Sequence, residues 1–148
     1  MEKISKGLSG IAGEYFVAAE LSRRGFMASI TLRNTDSIDI HASNSNIDKL
    51  LAIQVKTQQG SVRSWPLSQK SETLVSPNLF YVFVSFRDIL ERPDYFIVPS
   101  SVVAAQTKAT HSKWLSTPGK KGQPHNDNTM RMFEDKVEKF KEKWELLK

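Results

Sequence analysis

Residues Leu79–Phe86, LFYVFVSF, are apolar at both odd and even positions and rich in aromatic and β-branched side chains. Such residues suit pleated backbone, and a strand with no polar face has to be covered on both sides. That requirement rules out a sheet open to water on one face and predicts a mixed α/β sandwich with this segment as a central strand. The full chain of 148 residues is one domain's worth; folding at this length buries about 68–70% of the unfolded surface, enough for one core. The single domain is expected to span 1–148, with a core over about 8–98 and a C-terminal helical extension over about 100–148.

Short-range patterns supply the other elements. Ser9 to Arg24 has helical periodicity, with Arg23-Arg24 in the last turn and Gly25 as the cap. Phe26–Arg33, Ser37–Ser43 and Leu50–Thr57 alternate or run apolar and read as three consecutive strands. Asn34-Thr35-Asp36 and Asn44–Lys49 are the turns between them. The Ser- and Gln-rich stretch Gln58–Ser76 is expected to hold a short helix around Leu67–Leu74, and Tyr95–Val98 a fifth strand. Val102–Thr107 reads as a short helix with a serine at or near its N-cap, and Ser116–Asn128 as a loop. Phe133, Val137, Phe140, Trp144 and Leu147 recur at spacings of four, three, four and three, which predicts a C-terminal amphipathic helix.

Composition removes several chemistries. There is no cysteine, hence no disulfide, no thiolate metal site and no cysteine nucleophile. His41, His111 and His125 lack the spacing of a zinc hydrolase, and Gly119-Lys120-Lys121-Gly122 lacks the glycine spacing and strand context of a phosphate-binding loop. The longest apolar run, Leu79–Val84, is six residues, far below the ~18 of a membrane span, and no secretory signal opens the chain, so the expectation is a cytoplasmic protein. The net charge of +5 points weakly to polyanionic partners.

Three polar features stand out against the apolar patterns. Gly7, Ile11, Glu14, Ala18 and Leu21 share a helical stripe that Glu14 interrupts, whereas Glu20 and Arg24 read as a solvated i, i+4 pair. In Ser37-Ile38-Asp39-Ile40-His41 the period of two separates Asp39 and His41 from the isoleucines. In Leu51-Ala52-Ile53-Gln54-Val55-Lys56 it separates Gln54 and Lys56 from Leu51, Ile53 and Val55. A turn centred between Asn46 and Ile47 sets Asp39 opposite Gln54, with Lys56 one step along. Asp39, the Gln54 amide oxygen, Glu14 and a main-chain carbonyl near Val55 are the oxygen donors a hard divalent cation takes, and Lys56 suits a developing phosphorane charge. Each residue also has an ordinary reading: Glu14 at the stripe's edge in water, Asp39 a solvated strand residue, Gln54 a cross-strand hydrogen-bonder, Lys56 snorkelling over the sheet.

The order of Glu14 on a helix, Ser37-Ile38-Asp39, then Ile53-Gln54-Val55-Lys56 resembles the PD-(D/E)xK nuclease superfamily, in its Holliday-junction-resolvase-like and type IV restriction-endonuclease-like branches. The resemblance spans roughly residues 8 to 98. It implies a restriction-endonuclease-like αβββαβ core with a mixed central sheet flanked by helices. It assigns the metal-binding aspartate to Asp39, the second ligand to Gln54, the lysine to Lys56 and the helical glutamate of the resolvase-like branch to Glu14, with Mg²⁺ or Mn²⁺ as cofactor and DNA as substrate. Ser37-Ile38 stands where the family often has proline, and Gln54 where it commonly has Asp or Glu, which removes one negative charge from the metal site.

The enzyme so implied is a metal-dependent endodeoxyribonuclease. Arg63, Lys70, Lys120 and Lys121 are then candidates to hold phosphates and Trp65 to stack on an unpaired base; packing is the competing role for Trp65 and a solvated loop tip for Lys120-Lys121. The alternative is a catalytically inactive module of the same fold that binds nucleic acid, or a protein-interaction subunit whose C-terminal stripe docks a partner or a second copy as a homodimer.

Overall fold

The computed structural model describes residues 2–32 and 38–148. Arg33, the turn Asn34-Thr35-Asp36 and Ser37 lie outside the described residues. Helix α1 (Lys6–Arg23) starts at Ser5, whose hydroxyl accepts the Leu8 amide at 3.2 Å, and stops at Gly25, which takes a φ of +91°. Then come β1 (Phe26–Ile30), β2 (Ile40–Asn44), β3 (Leu50–Gln59) and β4 (Ser64–Ser68). A 3₁₀ turn (Gln69–Glu72) leads to β5 (Leu79–Phe86), β6 (Asp94–Pro99), helix α2 (Ser100–Ser116) and β7 (Met130–Glu134), and a last 3₁₀ turn is Trp144–Leu147.

Among the described residues five strands form one mixed sheet in the order β1-β2-β3-β5-β6. Its first three strands are an antiparallel meander, β3 and β5 are parallel, and β6 returns antiparallel to β5. β4 and β7 pair separately as a two-stranded antiparallel sheet. Every residue of β5 but the last is buried, and its side chains alternate between two cores. Phe80, Val82 and Val84 join Val17, Leu21, Ile53 and Val55 beneath α1. Tyr81 and Phe83 join Trp65, Phe96, Val103 and Phe133 beneath α2 and β4-β7. The doubly covered central strand is as its sequence demands. None of the helices is long and apolar enough to cross a membrane, among the described residues.

Several expectations are corrected. The residues of α1 that are buried are Ser9, Gly13, Val17, Glu20 and Leu21, so the helix is rotated from the Gly7–Leu21 stripe and Glu14 stands at the edge, half-buried. Gly13 is the reason: a Cβ there would fall 1.8 Å from Thr57 Oγ1, so α1 comes so close to β3 that only glycine fits unless Thr57 moves. Glu20, expected in solvent, is buried, receives hydrogen bonds from Arg24 and from Arg92 (3.1 Å), and lies 3.5 Å from Arg23. Leu67 and Ser68 complete β4, leaving one 3₁₀ turn where a short helix was expected. α2 runs well past Thr107, and Ser100 Oγ donates to the Ser76 carbonyl (2.8 Å) instead of capping the helix.

The C-terminal amphipathic helix does not form. Phe133 is drawn into the α2-side core, stacked on Phe83 at 4.5 Å, whereas Trp144 and Leu147 fill the α1-side core and Val137 is 86% exposed. No single helix reaches both sides of a sheet. The chain turns at Asp135, whose carboxylate accepts the amides of Lys139 (2.9 Å) and Phe140 (2.8 Å), and Glu138 and Glu142 take positive φ values of 55° and 56°. Ile97 then donates to the Phe140 carbonyl at 3.0 Å and Glu142 to the Tyr95 carbonyl at 2.9 Å, so the tail covers the outer edge of β6.

Candidate active site

The register of the β2-β3 pair is the one the turn predicts: Ile40 faces Ile53, His41 Ala52, Ala42 Leu51 and Ser43 Leu50. Asn44 shapes the turn, its carbonyl accepting the Ile47 amide (3.1 Å) and its side chain the Lys49 amide (3.2 Å). One step beyond the ladder the pairing changes. The Asp39 amide donates to the Ile53 carbonyl at 3.0 Å, so Asp39 and Ile40 share one partner residue in the manner of a β-bulge. The expected face-to-face pairing of Asp39 with Gln54 is replaced by a side-chain contact: Asp39 Oδ2 accepts the Val55 amide at 2.7 Å. The carboxylate therefore meets β3 between Gln54 and Lys56. Thr31 holds this bend from the other side, its amide donating to the Asp39 carbonyl at 2.9 Å and its hydroxyl to the Ile38 carbonyl at 2.6 Å.

Ile53 and Val55 point into the α1-side core, so alternation turns Gln54 and Lys56 to the opposite face. There they line a small polar cleft with Ser68, Lys70, Ser71 and Tyr81, closed by Leu67 and Leu74. Gln54 Oε1 is buried and has no hydrogen-bond donor among the described residues. A buried amide oxygen left without a donor costs about 1–3 kcal/mol, which marks it as an acceptor awaiting a ligand. Lys56 and Lys70 form no ion pair among the described residues, so their charges are available to the cleft.

Tyr81, read in the sequence only as core, is the cleft residue that pattern reasoning missed. Its signal was the ladder: β3 and β5 are parallel with Gln54 beside Tyr81, so both side chains share a face. Burial pushes the Tyr81 hydroxyl up to about 12, leaving it a neutral hydrogen-bond donor at neutral pH.

Other candidates are placed elsewhere. Glu14 follows Gly13, the residue set against Thr57, on the helix that covers the other face of β3. Arg63 is committed to protein, with Asp94 at 2.7 Å and Glu138 at 2.8 Å. Trp65 is fully buried, its indole donating to the Val84 carbonyl at 3.0 Å, so its ring has no face to offer a base. Lys120 and Lys121 are exposed on the loop beyond α2. Among the described residues no three acidic or histidine side chains converge as a metal site. A divalent ion here needs the Gln54 amide oxygen and main-chain carbonyls beside Asp39, and the unpartnered Gln54 oxygen fits that donor set.

No family model and no curated protein sequence matches this chain. Among solved structures it is similar to Hjc of Archaeoglobus fulgidus, a Holliday junction resolvase from an archaeal hyperthermophile, with a TM-score of 0.50 and 15% identity over 89% of this chain and 88% of that one. It is also similar to the bacterial homing endonuclease I-Ssp6803I, with a TM-score of 0.55 and 14% identity over 97% and 91% of the two chains. Both have PD-(D/E)xK-type nuclease folds, and this chain shares that fold.

Proposed function

We propose that this chain, folded like two DNA nucleases, is itself a metal-dependent endodeoxyribonuclease with Asp39, Gln54 and Lys56 at its reaction centre. One observation carries the reading: a buried Gln54 amide oxygen with no donor among the described residues shares a cleft with Lys56, which forms no ion pair among them, while the Asp39 carboxylate is tethered to the intervening residue.

Asp39, Gln54 and a main-chain carbonyl near Val55 would hold Mg²⁺ or Mn²⁺, which when bound polarises a phosphoryl oxygen and lowers the pKa of a water. The rest of the work falls to the chain. Lys56 orients the attacking water and stabilises charge developing on the phosphoryl oxygens. Lys70 holds the phosphate group from the other wall of the cleft, and the neutral Tyr81 hydroxyl donates a hydrogen bond to it. The Asp39–Val55 hydrogen bond keeps the carboxylate from rotating away, so positioning costs nothing at the moment of reaction.

The test is cleavage of plasmid and oligonucleotide duplexes. Nicking or cutting is expected with Mg²⁺ or Mn²⁺, none in EDTA, and none from Lys56→Ala; equal cleavage by that variant removes the assignment. A second reading, a binding module of the same fold that has lost turnover, is favoured by the amide at position 54, which lowers the charge of the metal site. It predicts DNA binding with no cleavage in either metal.

A further inference from the structure

The basic residues of this chain fall into two populations. Every arginine among the described residues is in an ion pair: Arg23, Arg24 and Arg92 with Glu20, Arg63 and Arg87 with Asp94, Arg131 with Glu72. Lys136, Lys141 and Lys143 on the tail are paired likewise. Lys3, Lys6, Lys49, Lys139 and Lys148, at scattered positions, form no ion pair among the described residues, and neither do Lys56, Lys70, Lys108, Lys113, Lys120 and Lys121. What sets the last six apart is that they lie in two stretches, Leu50–Ser71 and Tyr95–Asn126, that contain no Asp or Glu. Protein surfaces ordinarily intersperse both signs.

The fold joins the two stretches. α2 packs on the 3₁₀ turn that carries Lys70, with Ser71 Oγ 3.5 Å from Thr107 Oγ1, and Lys70 and Lys108 are the chain neighbours of that contact. Lys108 and Lys113 are exposed on α2, and the loop with Lys120 and Lys121 continues from its end. The acids that border the stretches in sequence are already used: Glu72 is bound to Arg131, Asp94 to Arg63 at 2.7 Å and Asp127 to His111 at 2.8 Å.

We propose that Lys108 and Lys113 of α2, with Lys120 and Lys121, form a duplex-DNA backbone surface that continues outward from the Lys56–Lys70 cleft. The proposal rests on the nuclease reading and extends it to how the substrate is held. Unpaired lysines facing phosphates release condensed counterions, a term that needs no base contact. Single-strand binding needs stacking platforms, and the aromatic residues here are engaged: Trp65 is in the core, and Trp114 is stacked on His125 at 4.1 Å and His111 at 5.6 Å. A duplex, read through its phosphates, is the form this surface suits.

The experiment is fluorescence anisotropy of a short labelled duplex with the full chain in EDTA, over a salt series. Replacing Lys108→Gln and Lys113→Gln together should lower the slope of log affinity against log salt by about 1.8, at about 0.9 per contact, and cost more than tenfold in affinity at ~0.1 M salt. Lys108→Arg with Lys113→Arg should restore both values, and Lys136→Gln with Lys143→Gln, on the ion-paired side, should keep the wild-type slope. An unchanged slope in the first variant, in a protein that still binds and cuts, overturns this surface and leaves the nuclease reading standing. Equal slope loss from the Lys136/Lys143 control overturns it as well, and slope loss confined to a single-stranded probe overturns the duplex assignment. Wild-type protein that binds no duplex at all removes both proposals.

Discussion

The Asp39 carboxylate accepts the Val55 main-chain amide at 2.7 Å, where a regular ladder would have given that amide a main-chain carbonyl. An acid is thereby pinned to β3 between the amide of Gln54 and the ammonium of Lys56. Replacing it tests its charge and its tether separately. Asp39→Asn keeps an acceptor for Val55, so folding should be near wild type while cleavage falls at least about 100-fold. Asp39→Ala should lose cleavage and also about 1–3 kcal/mol in urea unfolding, because the Val55 amide is left unpaired. Equal stability of the two variants would argue against the tether.

Gln54 sets the charge of the proposed metal site. Gln54→Glu should tighten Mn²⁺ binding by about tenfold or more in isothermal titration, since an anionic oxygen replaces a neutral one. Unchanged affinity would mean that Gln54 is not a ligand.

Glu20 is the buried anion of the α1–tail contact. Burial raises its pKa, but the hydrogen bonds and charges of Arg92 and Arg24 outweigh that and hold it below its ordinary value near 4.5. A depressed folded pKa means stability that is fully present above about pH 4.5 and is lost as pH falls through the folded value. Glu20→Gln should therefore cost roughly 2–3 kcal/mol at neutral pH, with the gap from wild type narrowing below pH ~4.5. Denaturant unfolding at several pH values measures it; a gap independent of pH would contradict the ion-pair account.

Gly13 and Thr57 set how closely α1 approaches β3. Gly13→Ala should destabilise by about 1–3 kcal/mol, and much of that should return in a Thr57→Ala background, where the clashing hydroxyl is gone. Absence of rescue would place the strain elsewhere.

Trp65 is a core residue in this fold, not a stacking platform. Trp65→Phe should lose about 1–2 kcal/mol through the missing Val84 hydrogen bond and volume, with duplex affinity unchanged. A selective loss of DNA binding at equal stability would restore the stacking role.

Much of the site was legible because it depends on alternation along one or two strands. The period of two put Gln54 and Lys56 on one face, and the turn at Asn44–Lys49 determined the register from Ile40–Ile53 onward. The bulge at Asp39 was not legible, since it arises where two strand ends and Thr31 compete for the same amides and carbonyls.

By itself the sequence determined a doubly covered central strand, a helix followed by a three-stranded meander, and the polar pair Gln54 and Lys56 on one sheet surface, all consequences of local periodicity and turn chemistry. Tertiary structure decided which side of α1 is buried, because Gly13 can be recognised as a contact point only once Thr57 faces it. It also decided the fate of the C-terminal segment. Phe133, Trp144 and Leu147 keep a helical spacing on paper, yet the cavities that take them lie on opposite faces of the sheet, and burial there outweighs the propensity of a helix that would have left one end exposed.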